Sequence, residues 1–177
     1  MKFKFKIQQY QTDAVENTVD VFRGQPSHNV STYRRDLGKY KEQRYTFKDE
    51  ELGYGNHRLE LDNLTLLRNI NSVQNLYDIA PSKSLSKGVA PVNLDIEMET
   101  GTGKTYVYIK TMFELNKQYG WSKFIIVVPS IAIREGVAKS FKMLEEHFME
   151  YYGKKARWFV TAVPICNSWI IFLPILD

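Results

Sequence analysis

Residues 98–105, which read METGTGKT, are the stretch whose residue types and spacing could do chemistry. A tight glycine turn that enters a helix offers backbone N–H groups, with the positive end of the helix dipole behind them, to the phosphates of ATP or GTP. In such loops a lysine reaches the β- and γ-phosphates and the next hydroxyl binds Mg²⁺, which assigns the catalytic roles to Lys104 and Thr105. The strict pattern has glycine where Met98 stands, but the run that follows is intact: Thr100, Gly101, Thr102, Gly103, Lys104 and Thr105.

The elements around this loop predict an α/β fold. We expect a strand over 92–98 before the loop, a helix over 104–119 after it, and a buried strand over 124–128. A continuously apolar strand of that kind is typical of a parallel sheet covered on both faces, with the intervening helix as the crossover. Apolar spacing predicts a further helix over 130–152 and a strand over 157–163.

Periodicity also organises the N-terminal part. Alternation over 2–7 indicates a short strand, and the spacing of apolar residues over 8–22, beginning with Tyr10, indicates a helix. Residues 23–90 are interpreted as an insertion and linker region. It is rich in glycine and charge up to residue 58, carries a second helix from about 62 to 77, and continues as a linker from Pro81.

With methionine in first place and TGTGKT after it, the loop resembles motif I of superfamily 2 helicases and translocases. The preceding LDIE and the later IIVVPSIAIREGV are similar to the N-terminal motor segment of the restriction (Res) subunit of type III restriction-modification enzymes, with type I restriction motors as the nearest alternative. The resemblance implies that residues 1–160 are an incomplete RecA-like P-loop domain, with a parallel sheet flanked by helices. It also implies that this domain binds ATP and Mg²⁺ in an ATP-dependent DNA translocase.

The resemblance implies a role for a glutamine near the N-terminus, which recognises adenine in this family. In the segment QQYQTDAV our choice is Gln11, and Gln8 and Gln9 are alternatives. An amide suits the task because its carbonyl and NH₂ can together pair with the donor and the acceptor on the adenine edge. A solvated glutamine at a helix start is the other interpretation.

The segment VVPSIAIREG resembles motif Ia of the family, which contacts the backbone of the tracked DNA strand. Pro129, Ser130 and Arg134 are therefore candidate DNA contacts. Without the resemblance Ser130 would be an ordinary N-cap, and one residue can do both. Arg134 is equally well interpreted as a solvent-facing arginine. By resemblance, the partners are double-stranded DNA and a methyltransferase subunit.

Other parts of such a motor are not found in the sequence. Hydrolysis needs an apolar strand ending in Asp-Glu, but 49–51 is interpreted as a solvated loop, and a second motor domain and a nuclease domain are missing. We therefore expect the opening part of a larger protein, with little or no ATP hydrolysis by itself. A stand-alone nucleotide-binding module and an inactive remnant are the alternatives. The apolar segment 161–177 either folds as buried strands or is a non-native tail, which we favour.

Composition sets wider bounds. A formal net charge of +4 is compatible with an anionic partner but decides little. The single cysteine, Cys166, excludes an internal disulfide framework, and the N-terminus lacks the apolar core of a signal peptide. We expect a cytoplasmic protein without a membrane span. The three histidines are too far apart to indicate a metal site, so no metal is expected beyond the Mg²⁺ of the nucleotide. The basic, tyrosine-containing segment 33–48 is interpreted as a solvated insertion, with nucleic-acid binding as the alternative.

Overall fold

The computed structural model describes residues 5–28, 56–86, 90, 92–163 and 168–176. This part of the chain contains four helices, namely α1 (Gln9–Asp20), α2 (Asn63–Leu76), α3 (Lys104–Tyr119) and α4 (Ile131–Tyr152). It also contains four strands, β1 (Lys123–Val128), β2 (Lys155–Ala156), β3 (Phe159–Val163) and β4 (Ser168–Leu176). All four helices and the strands β1 and β3 confirm the sequence predictions to within a few residues.

Helix α1 packs along one side of α3. Val15 and Val19 are each 1% exposed and contact Val107 and Tyr119 of α3. Full burial of such a side chain stabilises the fold by about 1.5–3 kcal/mol. The Tyr119 hydroxyl also donates to the carbonyl of Val19 at 3.2 Å. The N-terminal helix is thereby fixed against the helix that follows the glycine loop.

The other side of α3 forms the main core with α4 and the sheet. Phe113 stacks on Phe148 and on Tyr152 of α4, with ring centroids 4.9 and 5.0 Å apart. The buried members of this core are Ile109, Met112, Phe113, Val128, Val137, Phe141, Leu144, Phe148 and Ile175. Helix α3 is thus buried on two sides, and these contacts position its first turn where the glycine loop ends.

Strand β4 lies between the other strands and pairs antiparallel with β1, β2 and β3. The predicted parallel sheet is therefore wrong for every pairing that the structure describes. The register with β1 runs from Lys123 opposite Pro174 to Val128 opposite Trp169. The physical reason is that the antiparallel strand β4 hydrogen-bonds to the backbone of β1 along its whole length. The sequence pattern predicts a parallel strand in that place.

Two further strand predictions are wrong. Residues 92–98 and 5–7 contain no strand, while 1–4 lie outside the described residues. The run 92–98 carries Asp95 and Glu97, and Ile96 is 48% exposed, so this run is not buried in a sheet. The expectation that both faces of β1 are covered also fails in the described part of the chain, since Ile125 and Val127 are each 62% exposed.

The C-terminal segment forms a strand over Ser168–Leu176, and Ile175 is 3% exposed within the core. Whether that segment is native to the protein stays a prediction. The predictions for 33–48, 49–51 and Cys166 lie outside the described residues.

Candidate phosphate-binding site

The glycine loop turns sharply into α3 through backbone conformations that favour glycine. Gly101 has φ 84° and Gly103 has φ 85°, both in the left-handed region. Gly103 is the N-cap of α3, and no side chain caps this helix. The first N–H groups of a helix have no intrahelical acceptor, so the N-terminus of α3 presents donors and a positive dipole end at the loop.

Inside the loop, two side chains converge on one carbonyl. Lys104 Nζ donates to the carbonyl oxygen of Glu99 at 2.6 Å, and the hydroxyl of Thr102 donates to the same oxygen at 2.7 Å. Lys104 itself is exposed. The ammonium group is therefore held at the solvent side of the loop by a single carbonyl, which an anion could replace.

The side chain of Gln11 reaches the same loop from α1. Its Nε2 donates to the carbonyl of Thr102 at 2.9 Å, across 91 residues of sequence. Gln9, one of the alternatives, instead donates to Asp13 within α1 at 2.7 Å. A Cβ atom at Gly103 would lie 2.5 Å from Gln11 Nε2, so the absence of a side chain at 103 lets the amide approach. Of the glutamines considered, Gln11 is the one with a hydrogen bond to the loop.

Sequence reasoning missed two residues that lie beside Gln11. The hydroxyl of Tyr10 also donates to the Thr102 carbonyl, at 3.1 Å. Lys110 of α3 is only 4% exposed and donates from Nζ to the hydroxyl of Thr12 at 3.3 Å. Tyr10 was counted in the apolar spacing of α1, and nothing in the local pattern marked Lys110 as buried. Three consecutive residues of α1 thus contact the loop or α3.

Thr105, the candidate Mg²⁺ ligand, is half-buried in the first turn of α3. One turn further on, burial raises the pKa of Tyr108, and the side chain of Thr105 partly offsets that rise. The phenol of Tyr108 therefore stays protonated at neutral pH. The chemistry fits a magnesium ligand, because Mg²⁺ prefers oxygen donors and takes few of them from the protein when it arrives with a nucleotide.

The residues proposed for DNA lie at the start of α4. Ser130 is the N-cap, and its side chain accepts from the N–H of Ile133 at 3.3 Å, which confirms the N-cap prediction. Pro129 before it is exposed. Arg134 is not simply solvent-facing, since its side chain is 19% exposed and its Nε donates to Glu135 at 3.1 Å.

No group of three or more His, Cys, Asp or Glu side chains that could hold a metal ion occurs within the described ranges. In the same ranges, none of the helices is both long enough and apolar enough to cross a membrane. His28 and His57 do come together, with stacked rings 4.2 Å apart, and His28 also contacts Glu60 at 2.7 Å. His147 is separate and contacts the Tyr106 hydroxyl at 3.2 Å.

The loop combines a glycine turn, which has two left-handed positions, with a lysine and a hydroxyl residue at the uncapped start of a buried helix. This arrangement is typical of phosphate-binding loops. Residues 4–160 match the family described as "Type III restriction enzyme, res subunit". The chain belongs to that family.

Individual relatives agree. The chain is 43% identical over 108 residues to the type III restriction-modification enzyme EcoP15I Res subunit of Escherichia coli, and 41% identical over 108 residues to the EcoPI Res subunit of Escherichia phage P1. Each match covers 60% of this chain and 11% of the relative. Over 63 residues, 34% of this chain and 6% of the relative, it is 51% identical to the StyLTI Res subunit of Salmonella typhimurium. The matched parts thus span only 6% to 11% of the length of these relatives.

Proposed function

We propose that this chain contributes the ATP·Mg²⁺-binding part of the DNA translocase motor of a type III restriction endonuclease. The loop N–H groups and the start of α3 would receive the phosphates, and Lys104 would exchange the Glu99 carbonyl for β- and γ-phosphate oxygens. The ligand-binding set is Gln11, Thr100, Gly101, Thr102, Gly103, Lys104 and Thr105. Membership of the family supports a RecA-like fold for the motor domain as a whole.

The observation that carries this proposal is the bond between Gln11 and the loop. One N–H of its amide is used on the Thr102 carbonyl at 2.9 Å. A primary amide has a second N–H and a carbonyl oxygen, and these two groups match the acceptor and the donor on the edge of adenine. Gln11 can therefore read the base while it remains attached to the loop that holds the phosphates, which favours ATP over GTP.

The Thr105 hydroxyl would hold Mg²⁺, which supplies neutralisation of phosphate charge when it is bound with the nucleotide. The chain's own contribution is Lys104, whose ammonium can stabilise negative charge that develops on the γ-phosphate. The described residues contain no acidic strand end after the loop that could position water. We therefore propose that the separate chain binds ATP and hydrolyses it poorly.

Contact with double-stranded DNA is the second part of the proposal, and Ser130 and Pro129 are the residues proposed to make it. Ser130 opens a helix of 22 residues, whose N-terminal dipole favours a phosphate. Arg134 can add charge if its guanidinium leaves Glu135. Double-stranded DNA and a methyltransferase subunit are the partners we propose, in the cytoplasm.

Equilibrium binding of a non-hydrolysable ATP analogue tests the nucleotide proposal. Lys104→Ala should weaken affinity roughly 10- to 100-fold, the range expected when charge-assisted hydrogen bonds to phosphate are lost. The matched control is Lys117→Ala, an exposed lysine in the last turn of the same helix, which should bind like the wild type. Equal affinity for all three proteins would contradict the proposed nucleotide binding. Robust Lys104-dependent turnover of ATP would contradict the expected poor hydrolysis.

The DNA part has a separate test. Affinity for duplex DNA should fall linearly with the logarithm of salt concentration, because phosphate contacts release counterions. Binding without a salt slope, or no binding at all, would leave a nucleotide-binding module without DNA activity as the better description.

A further inference from the structure

The carbonyl oxygen of Thr102 is the point where α1 and the glycine loop meet. It accepts a hydrogen bond from the Tyr10 hydroxyl at 3.1 Å and another from Gln11 Nε2 at 2.9 Å. A backbone carbonyl has two lone pairs, so these donors occupy both. A carbonyl held by two donors from one rigid helix has a fixed direction.

That direction also fixes a neighbouring N–H. The carbonyl of Thr102 and the N–H of Gly103 belong to the same peptide unit, which is planar and trans, so the two groups point in opposite directions. With the carbonyl held towards α1, the N–H of Gly103 points away from α1. A glycine crosses readily between backbone conformations, and Gly103 at φ 85° has no side chain to resist rotation of that peptide.

We propose that Tyr10 is a positioning residue for phosphate binding: its hydroxyl, together with the Gln11 amide, aims the N–H of Gly103 towards the phosphate chain. The inference rests on the proposed function of the loop and extends it. Tyr10 acts on the di- or triphosphate group of a nucleotide, whatever its base, whereas Gln11 acts on both the loop and the base.

The aromatic ring of Tyr10 offers a competing role, since a side chain that is 49% exposed could stack on a base. The two roles use different atoms. Tyr10→Phe removes the hydroxyl and keeps the ring, so it abolishes positioning but not stacking. The half-exposed location also means that this variant should fold.

The experiment compares Tyr10→Phe with Tyr77→Phe in the full 177-residue chain. Tyr77 is a matched control because it is 51% exposed and its hydroxyl also contacts α1, accepting from Asn17 Nδ2 at 2.8 Å. Affinities are measured for Mg·ATP, Mg·GTP and inorganic tripolyphosphate. Tyr10→Phe should weaken all three by a similar factor, about two- to tenfold for one neutral hydrogen bond, while Tyr77→Phe leaves them unchanged.

Two results would overturn the inference while leaving the proposed function intact. One is wild-type affinity of Tyr10→Phe for all three ligands. The other is a loss for ATP and GTP but not for tripolyphosphate, which would assign Tyr10 to the base. If the wild type binds none of the ligands, the proposed function itself has failed.

Amide hydrogen exchange gives a readout that needs no nucleotide. In Tyr10→Phe the segment 99–105 should exchange faster than in the wild type, with 106–119 unchanged, because loss of one donor lets the peptide of Thr102 and Gly103 rotate. Identical exchange of 99–105 in both proteins would overturn the inference whatever the binding data show.

Discussion

Replacement of Gly103 by alanine tests how closely α1 and the loop are fitted to each other. The substitution has two costs. An L residue at φ 85° is strained by about 1–2 kcal/mol. In addition, the new Cβ would lie 2.5 Å from Gln11 Nε2, a distance that forces the amide to swing away and lose its bond to Thr102. A neutral hydrogen bond of this kind contributes about 0.5–1.5 kcal/mol.

Gly101→Ala is the matched control, because it separates the two costs. Gly101 has nearly the same φ, 84°, but nothing lies within 4 Å of the position its Cβ would occupy. Gly101→Ala should therefore show the backbone strain alone. The difference in free energy of unfolding between the two variants, measured by urea titration, is expected to be about 1 kcal/mol in favour of Gly101→Ala.

A double-mutant cycle with Gln11→Ala identifies the cause of that difference. Once the amide is absent, Gly103→Ala should cost no more than Gly101→Ala, because only the strain remains. The reasoning is refuted if both glycine variants are equally destabilised in the wild-type background. It is also refuted if the extra cost of Gly103→Ala persists without the Gln11 side chain.

Two further predictions concern α4. Ser130→Ala removes the side chain that accepts from the N–H of Ile133 and should lower the free energy of unfolding by about 1 kcal/mol. Ser140→Ala, in the middle of the helix, should lower it by less. Equal losses for the two variants in urea titrations would count against the N-cap. Burial lowers the pKa of His147 from 6.5, so its contribution to stability is fully present above pH 6.5 and is lost as the pH falls through the lower folded pKa. His147→Gln should therefore flatten this part of the curve of unfolding free energy against pH. An unchanged slope in that pH range would contradict the assignment.

Local signals account for most of what could be predicted from the sequence. The sequence predicts both ends of helix α3, because glycine is typical of helix ends and stands at both flanking positions; Gly103 and Gly120 have left-handed conformations in the structure. The start of α4 followed from Ser130 after Pro129, a usual N-cap signal. The Gln11 assignment needed the family resemblance and stays a proposal; the structure shows that its amide donates to the Thr102 carbonyl.

What could not be predicted depends on contacts between distant residues. An apolar strand such as β1 can pair with a parallel or an antiparallel neighbour, and its sequence does not decide between them. Its partner β4 comes from the segment 161–177, for which the sequence favours a non-native tail over buried strands. Tyr10 has the spacing of a core residue, but its hydroxyl donates to the carbonyl of Thr102, 92 residues further along the chain. The burial of Lys110 is likewise visible only once α1 lies against α3.

The central claim is that the loop and the start of α1 form one nucleotide site. Amide hydrogen exchange with and without a non-hydrolysable Mg·ATP analogue tests it most directly. We expect the analogue, at a concentration close to the Kd of the wild type, to slow exchange in both 99–106 and 9–12, to leave α2 unchanged, and to protect Lys104→Ala far less. Protection of the loop without protection of 9–12, or equal protection of Lys104→Ala at that concentration, would contradict the account.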